Sequence, residues 1–421
     1  MVDKVLRAVD EIAGEMVEFL QGLTRIATVN PPGDHYAVAA EFIGARLKAF
    51  GYAVQYVTAD DRPEHTAQHP RVNVIGCMDG AAAAPLLHFN GHFDVVPVGD
   101  GWTVDPFGAL VRDGKLYGRG TCDQKAGIAA SIFAIEAIRR AGVRLRGTVE
   151  QSGTVDEESG GFAGVACLAR RGFIHKDRTN FVIITEPSNV DRICIGHRGV
   201  YWFKVIQQGR IGHGSMPHLG VSAADHLADV IHEITHTLKP VLARRKTEMP
   251  VEPPGSRYAS INVNSIFGGQ PEEGAQTPCV IDRAGAIFDR RFLAEERIED
   301  VQSEILELLD KLGSANPAAS YSVEDLMVVH PSRTDAESEL VEAVSSSIEA
   351  VLGRKPPLMA SPGTYDQKHV MRIGQVNDCI AYGPGILDLA HQPDEYVLIE
   401  DLINSSKVMA LSAIKLLGAE A

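Results

Sequence analysis

No C-x-x-C pair occurs among the six cysteines (Cys77, Cys122, Cys167, Cys194, Cys279, Cys379), which are scattered through a chain too long to need disulfide staples. A disulfide framework is thereby excluded, and a reducing cytoplasm is the expected address. The 421 residues also contain no low-complexity tract and no short-period repeat, which excludes wholesale disorder. Positive charge is scarce: 40 Lys and Arg stand against 55 Asp and Glu, a net charge of −15 that repels phosphate backbones and anionic lipid. Neither nucleic acid nor a membrane is an expected partner, and the short basic runs GVRLRG and LARRKTE read as solvated faces. Val5, Val9, Ile12, Met16, Leu20 and Leu23 have amphipathic-helix spacing, but acidic residues interrupt the run. It reads as neither signal peptide nor membrane span.

What is present is an ordinary globular composition, 45% hydrophobic and 23% charged, in a chain long enough for two domains. Up to about residue 196 the apolar runs RVNVIGCM, PLLHFNGH, GTVEQSGTV and NFVIITEP alternate with helical patterns such as Lys125 to Ala141. That rhythm predicts an α/β domain with a mixed, mostly parallel sheet and helices on both faces. Between 197 and 326 the order becomes strand (VYWFKVIQQ), helix (Ser222 to Leu238), two strands (ASINVNSIF, VIDRAGAIFD), helix (Glu295 to Leu312) and strand (ASYSVEDL). This βαββαβ order predicts an inserted α+β domain of ferredoxin-like type, a lid or dimerisation module. The first rhythm resumes in 327–421, so the expected catalytic domain comprises 1–196 and 327–421.

Candidate chemistry sits at strand ends. His92 and Asp94 follow PLLHFN two residues apart and point to one side, so a metal on His92 could have its ring oriented by Asp94. Asp123 ends the glycine-punctuated YGRGTCD turn before a helix, where a plain N-cap is the competing reading. Asp156-Glu157-Glu158 close the strand GTVEQSGTV, and three adjacent acids repel one another unless a cation or solvent lies among them. Side chains diverge there, which makes Glu158 a ligand and Glu157 a general base. Glu186 of TEPS and His391 of LAHQPDE each read alone as surface polarity or a core histidine. Together these residues occupy the C-terminal ends of predicted strands, the edge where open α/β sheets bind ligands.

At those residues the chain resembles the dinuclear metallohydrolases that include acetylornithine deacetylases, succinyl-diaminopimelate desuccinylases, aminoacylase-1 and carboxypeptidase G2, peptidase family M20, over nearly its whole length. The resemblance implies two divalent ions, zinc by default with cobalt or manganese as options, one on His92, Asp123 and Glu186 and the other on Asp123, Glu158 and His391. It implies that Glu157 is the base and that His213 polarises the scissile carbonyl across a homodimer interface. Arg198, Asn264, Asp289 with Arg291, Gly363, Thr364, Tyr365 and Lys368 match positions lining the substrate site, with Tyr365 available to stack on a flat group. One departure stands out: the desuccinylase-like G-T-S-D-G-R becomes Gly363-Thr364-Tyr365-Asp366-Gln367-Lys368, and lysine lacks the planar two-point clamp of arginine.

The expected activity is hydrolysis of the C–N bond of an N-acyl amino acid or a related small N-acyl amine. Alternatives on the same centre are a dipeptidase or carboxypeptidase, an N-formyl-amine deformylase and an aromatic-amine hydrolase. A non-catalytic metal-binding protein is the rival from another class. A zincin site at Ile231-His232-Glu233-Ile234-Thr235-His236, a literal H-E-x-x-H, is a further competitor, set against a reading as exposed positions of an amphipathic helix.

Overall fold

The computed structural model describes residues 1–269 and 278–420, which form two compact units. The first comprises Met1–Gly196, Thr334–Met359 and Tyr365–Ala421, and the second His197–Arg333 with Ala360–Thr364.

In the first unit the strands run in the order Ala53–Thr58, Val72–Met78, Thr148–Thr154, Leu86–His92, Phe181–Ile184, Cys379–Ala381, Ile193–His197. The sheet is mixed. Leu86–His92 pairs in parallel with strands on both sides, as Phe181–Ile184 does, whereas the flanking pairings are antiparallel. All seven residues of Leu86–His92 are buried, so both faces of the sheet centre are covered. Helix Lys125–Arg140 is buried along nearly all its length and packs on this strand and against helix Ile399–Leu417. Its Gly127 has Thr185 O only 2.1 Å from where a Cβ would stand, so helix and strand end meet as closely as backbones allow. Strand Ala53–Thr58 has mostly exposed or half-exposed residues and no clean alternation, which is why the sequence rhythm does not reveal it.

The second unit has the expected βαββαβ order: Gly199–Gln208, Ala223–Glu233, Ser260–Gly268, Arg283–Phe292, Ile298–Ala315 and Ser320–Val329. Its four strands pair antiparallel, with Gly199–Gln208 and Arg283–Phe292 in the middle. Tyr201, Phe203 and Val205 alternate into the core, where Phe203 stacks on Phe288 at 5.0 Å, while Trp202 between them is exposed. The last strand corrects one sequence boundary. A register shift between Asp325 and Met327 absorbs Leu326, pairing continues to Val329, and the unit runs to Arg333 rather than ending at 326.

Candidate metal centre

Parallel pairing aligns His92 with Thr154 and Asn90 with Ile184, so His92, the turn after Thr154 and the segment after Ile184 emerge at one sheet edge. At that edge His92 Nε2 lies 3.1 Å from Asp123 Oδ1, and His391 Nε2 lies 3.5 Å from Asp123 Oδ2 and 3.0 Å from Glu158 Oε1. One carboxylate therefore stands between two imidazoles, each facing a different oxygen. Ligand atoms of His92, Asp123 and Glu158 all fall within 4.8 Å of one another. Glu186 Oε1 is buried without a hydrogen-bond partner.

The electrostatics of the cluster follow from burial and from these contacts. Burial would raise the Asp123 carboxyl, but hydrogen bonds from His391 and His92 outweigh it and hold the group below the usual range. Burial pushes Glu158 up to about 7 against the His391 hydrogen bond, and burial with the Asp123 charge pushes Glu186 well up. Hydrogen bonds to Asp123 and Glu158 raise His391 to about 10. Three largely buried carboxylates packed against two imidazoles, with Glu186 Oε1 left without a hydrogen-bond partner, form a donor set that divalent cations fit.

Supporting residues fix these side chains. His92 Nδ1 faces the main-chain oxygen of Asp94 at 3.0 Å, closer than the Asp94 carboxylate at 3.4 Å. That carboxylate accepts the N–H groups of Glu157 (3.1 Å) and Glu158 (3.2 Å) and the Asn30 amide (3.0 Å), so Asp94 holds the ring and the acidic turn at once. Of the three adjacent acids, Asp156 turns away: its carboxylate accepts from Arg71 Nε at 2.9 Å and the Tyr36 hydroxyl at 2.8 Å. A positive φ of 60° at Asp156 makes this divergence.

Sequence reasoning missed Glu395. Its Oε1 accepts the N–H groups of Gly120 (3.0 Å), Cys122 (2.8 Å) and Asp123 (3.1 Å), and its Oε2 pairs with buried Arg119. Arg119 in turn donates to the carbonyls of His391 and Gln392, tying the Asp123 loop to the His391 loop. The signal was an arginine in YGRG and an acid in HQPDE, but nothing local says that they meet. Glu395→Ala strands the buried Arg119 charge and is expected to destabilise the protein by about 3–5 kcal/mol, with a ten- to hundredfold loss of metal affinity. Thermal unfolding and metal titration check this; an unchanged melting temperature would mean that the pair holds nothing in place.

The residues expected to line the substrate site have the following surroundings. Tyr365 is buried in the hydrophobic core of the first unit, its hydroxyl donating to Gln367 Oε1 at 2.8 Å, so it is not available to stack on a substrate. Tyr365→Phe should therefore lower stability by about 1–3 kcal/mol, for the unsatisfied Gln367 oxygen, while kcat/KM stays at the wild-type value. Lys368 is buried with its Nζ 3.2 Å from Glu157 Oε1, an ion pair that the sequence did not suggest. Arg198, in the second unit, spends Nε and Nη2 on the Pro362 carbonyl and Nη1 on that of Tyr258, so it clamps the loop carrying Gly363 and Thr364. Arg291 grips Asp289 through two bonds of 2.8 and 3.0 Å, and Asn264 sits exposed at a register shift of its strand. His213 is exposed; its Nδ1 accepts the Ser215 main-chain N–H at 3.2 Å, which puts the proton of the neutral ring on Nε2.

Residues 88–415 match the family described as "Peptidase family M20/M25/M40". The chain belongs to that family. M20 hydrolases are metal-dependent amidohydrolases, and this chain is one. A succinyl-diaminopimelate desuccinylase from Pseudomonas syringae is 30% identical over 385 residues, covering 90% of this chain and 93% of the relative. Among solved structures, human carnosine dipeptidase 1 superposes with a TM-score of 0.76 at 20% identity, covering 99% and 98% of the two chains. A Bacillus subtilis protein described as a dinuclear metal-binding peptidase of the M20 family gives 0.70 at 15% identity, covering 97% and 99%. No helix among the described residues is long and apolar enough to cross a membrane.

Proposed function

We propose that this M20 protein is a deacylase that hydrolyses the amide bond of an N-acyl amino acid or a related small N-acyl amine. The observation that carries the reading is Asp123 standing between His92 and His391, with Glu158 beside it and Glu157 next in the chain. His92, Asp123 and Glu186 would hold one divalent ion and Asp123, Glu158 and His391 a second, with zinc the default and cobalt or manganese compatible with the same donors. When bound, such ions supply Lewis acidity toward the acyl carbonyl and toward water.

The chain's own residues do the rest. Glu157 takes the proton of the attacking water and returns it to the leaving nitrogen. Lys368 Nζ, 3.2 Å from Glu157 Oε1, pairs with that carboxylate and fixes its direction. Asp94 orients His92, and the Nε2 proton of His213 is the donor assigned to the oxyanion. His213→Ala is expected to lower kcat about a hundred- to thousandfold with metal content unchanged. An unchanged kcat would remove His213 from the reaction.

A homodimer in which His213 is supplied across the interface follows the same reading, as does a cytoplasmic address, which six free thiols suit. The desuccinylase-named relative and the dipeptidase fold neighbour keep succinylated amino acids and dipeptides among the first substrates to try. Amine release from N-acyl amino acids, N-formyl amines, dipeptides and aromatic amines, measured on Zn-, Co- and Mn-loaded protein with and without chelator, tests the proposal. Chelator-sensitive release from an N-acyl amino acid supports it; turnover confined to dipeptides would move the assignment to peptidase.

A further inference from the structure

The H-E-x-x-H segment is not used by the amidohydrolase centre, and its geometry has a use of its own. Helix Ala223–Glu233 passes into a π-helical turn, Ile234–Leu238, at the point where His236 follows His232 by four residues. Single π turns in helices are frequent at functional sites. The two imidazoles are exposed and lie face to face, centroids 4.1 Å apart and planes 27° from parallel. His236 Nδ1 lies 3.0 Å from the His232 main-chain oxygen. A carbonyl only accepts, so this nitrogen carries the proton and the outward Nε2 keeps its lone pair, the tautomer a metal ligand needs. The intervening Glu233 is committed elsewhere: its Oε1 is 2.9 Å from Lys311 Nζ, and the Thr237 hydroxyl also bonds its carboxylate.

We infer that His232 and His236 form a bidentate surface site for a borderline divalent ion of the copper, nickel and zinc class, separate from the amidohydrolase centre and without hydrolytic activity. The stacked rings direct their lone pairs side by side, so a turn about the exposed side-chain torsions brings both nitrogens, carried on adjacent helical turns, onto one ion, and solvent completes its coordination. Imidazole donors disfavour magnesium and calcium, which seek oxygen. Among the described residues no third His, Cys, Asp or Glu ligand atom joins the two imidazoles, whereas a catalytic zinc site is held by three protein ligands, which separates this site from the protease reading of the same motif.

The test uses full-length protein already loaded with zinc. Copper(II) is added, free ions are removed by gel filtration, and both metals are counted by elemental analysis in the wild type, His232→Ala and His236→Ala. Copper should be gained in the wild type with no zinc lost, and that gain should vanish in both variants while kcat/KM holds at the zinc-loaded value. Magnesium should not compete for the site. Copper gained equally by the variants, copper gained only as zinc leaves, or no copper gained at all would each overturn the inference. Turnover of the zinc-loaded protein is read separately, so failure here is distinguishable from failure of the deacylase assignment.

Discussion

Glu157→Gln is expected to lower kcat by about a hundred- to ten-thousandfold, the usual contribution of a positioned proton-transfer group, while leaving metal content and fold intact. The physical ground is that glutamine is isosteric but neither accepts nor returns a proton at neutral pH. Glu157 lies beside the ligand cluster without being one of its members, and the main-chain N–H groups of 157 and 158, not their side chains, anchor the turn to Asp94. The substitution therefore removes the proton acceptor and leaves the turn in place. It also leaves Lys368 facing a neutral amide, so a few degrees of lost melting temperature are expected along with the lost turnover. Single-turnover kinetics and elemental analysis on the same preparation decide the matter. A variant that keeps wild-type kcat would remove Glu157 from the chemistry, and one that loses metal would make it a ligand.

Asp123→Ala should have the larger consequence for the centre as a whole: metal content falls toward zero and turnover falls with it. Each carboxylate oxygen of Asp123 faces its own histidine, so a single truncation takes one donor from both proposed ions. Loss of a ligand from only one ion would leave the other in place, as expected for Glu186→Ala, which touches one half of the proposed pair. Comparing metal stoichiometry in the two variants tests the sharing directly. Asp123→Ala protein retaining as much metal as Glu186→Ala protein would refute a bridging carboxylate.

Part of this arrangement could be read from the chain because His92, Glu158 and Glu186 lie at or after strand patterns, whereas Asp123 and His391 have competing local readings as an N-cap and as surface polarity. His92 ends the strand Leu86–His92, Glu186 lies just beyond Phe181–Ile184 and Glu158 lies in the turn after Thr148–Thr154, and parallel strands in a covered sheet deliver their C-terminal ends to one edge. The alternation in VYWFKVIQQ likewise marks a strand with one covered face, and Trp202 is exposed as that pattern requires. What could not be read are partnerships between segments far apart in sequence. Lys368 and Glu157 are separated by 211 residues, and Glu395 and Gly120 by 275. Tyr365 shows the same limit from the other side. A motif position gives its residue type, whereas Tyr365 is buried in the core of the first unit and its hydroxyl is committed to Gln367.

The sequence by itself determined the class of fold, the two-unit organisation with an inserted βαββαβ segment, and the residue types available for metal and proton chemistry. These depend on periodicity and on short-range spacing, which the chain carries locally. Only the tertiary structure decided which acid of Asp156-Glu157-Glu158 turns away, which carbonyls Arg198 holds, where the Arg119–Glu395 pair ties two loops, and how His236 comes to lie over His232. Those outcomes depend on burial, because a charge or donor removed from water must find a partner, and the partner is whichever group the packing brings within about 3 Å.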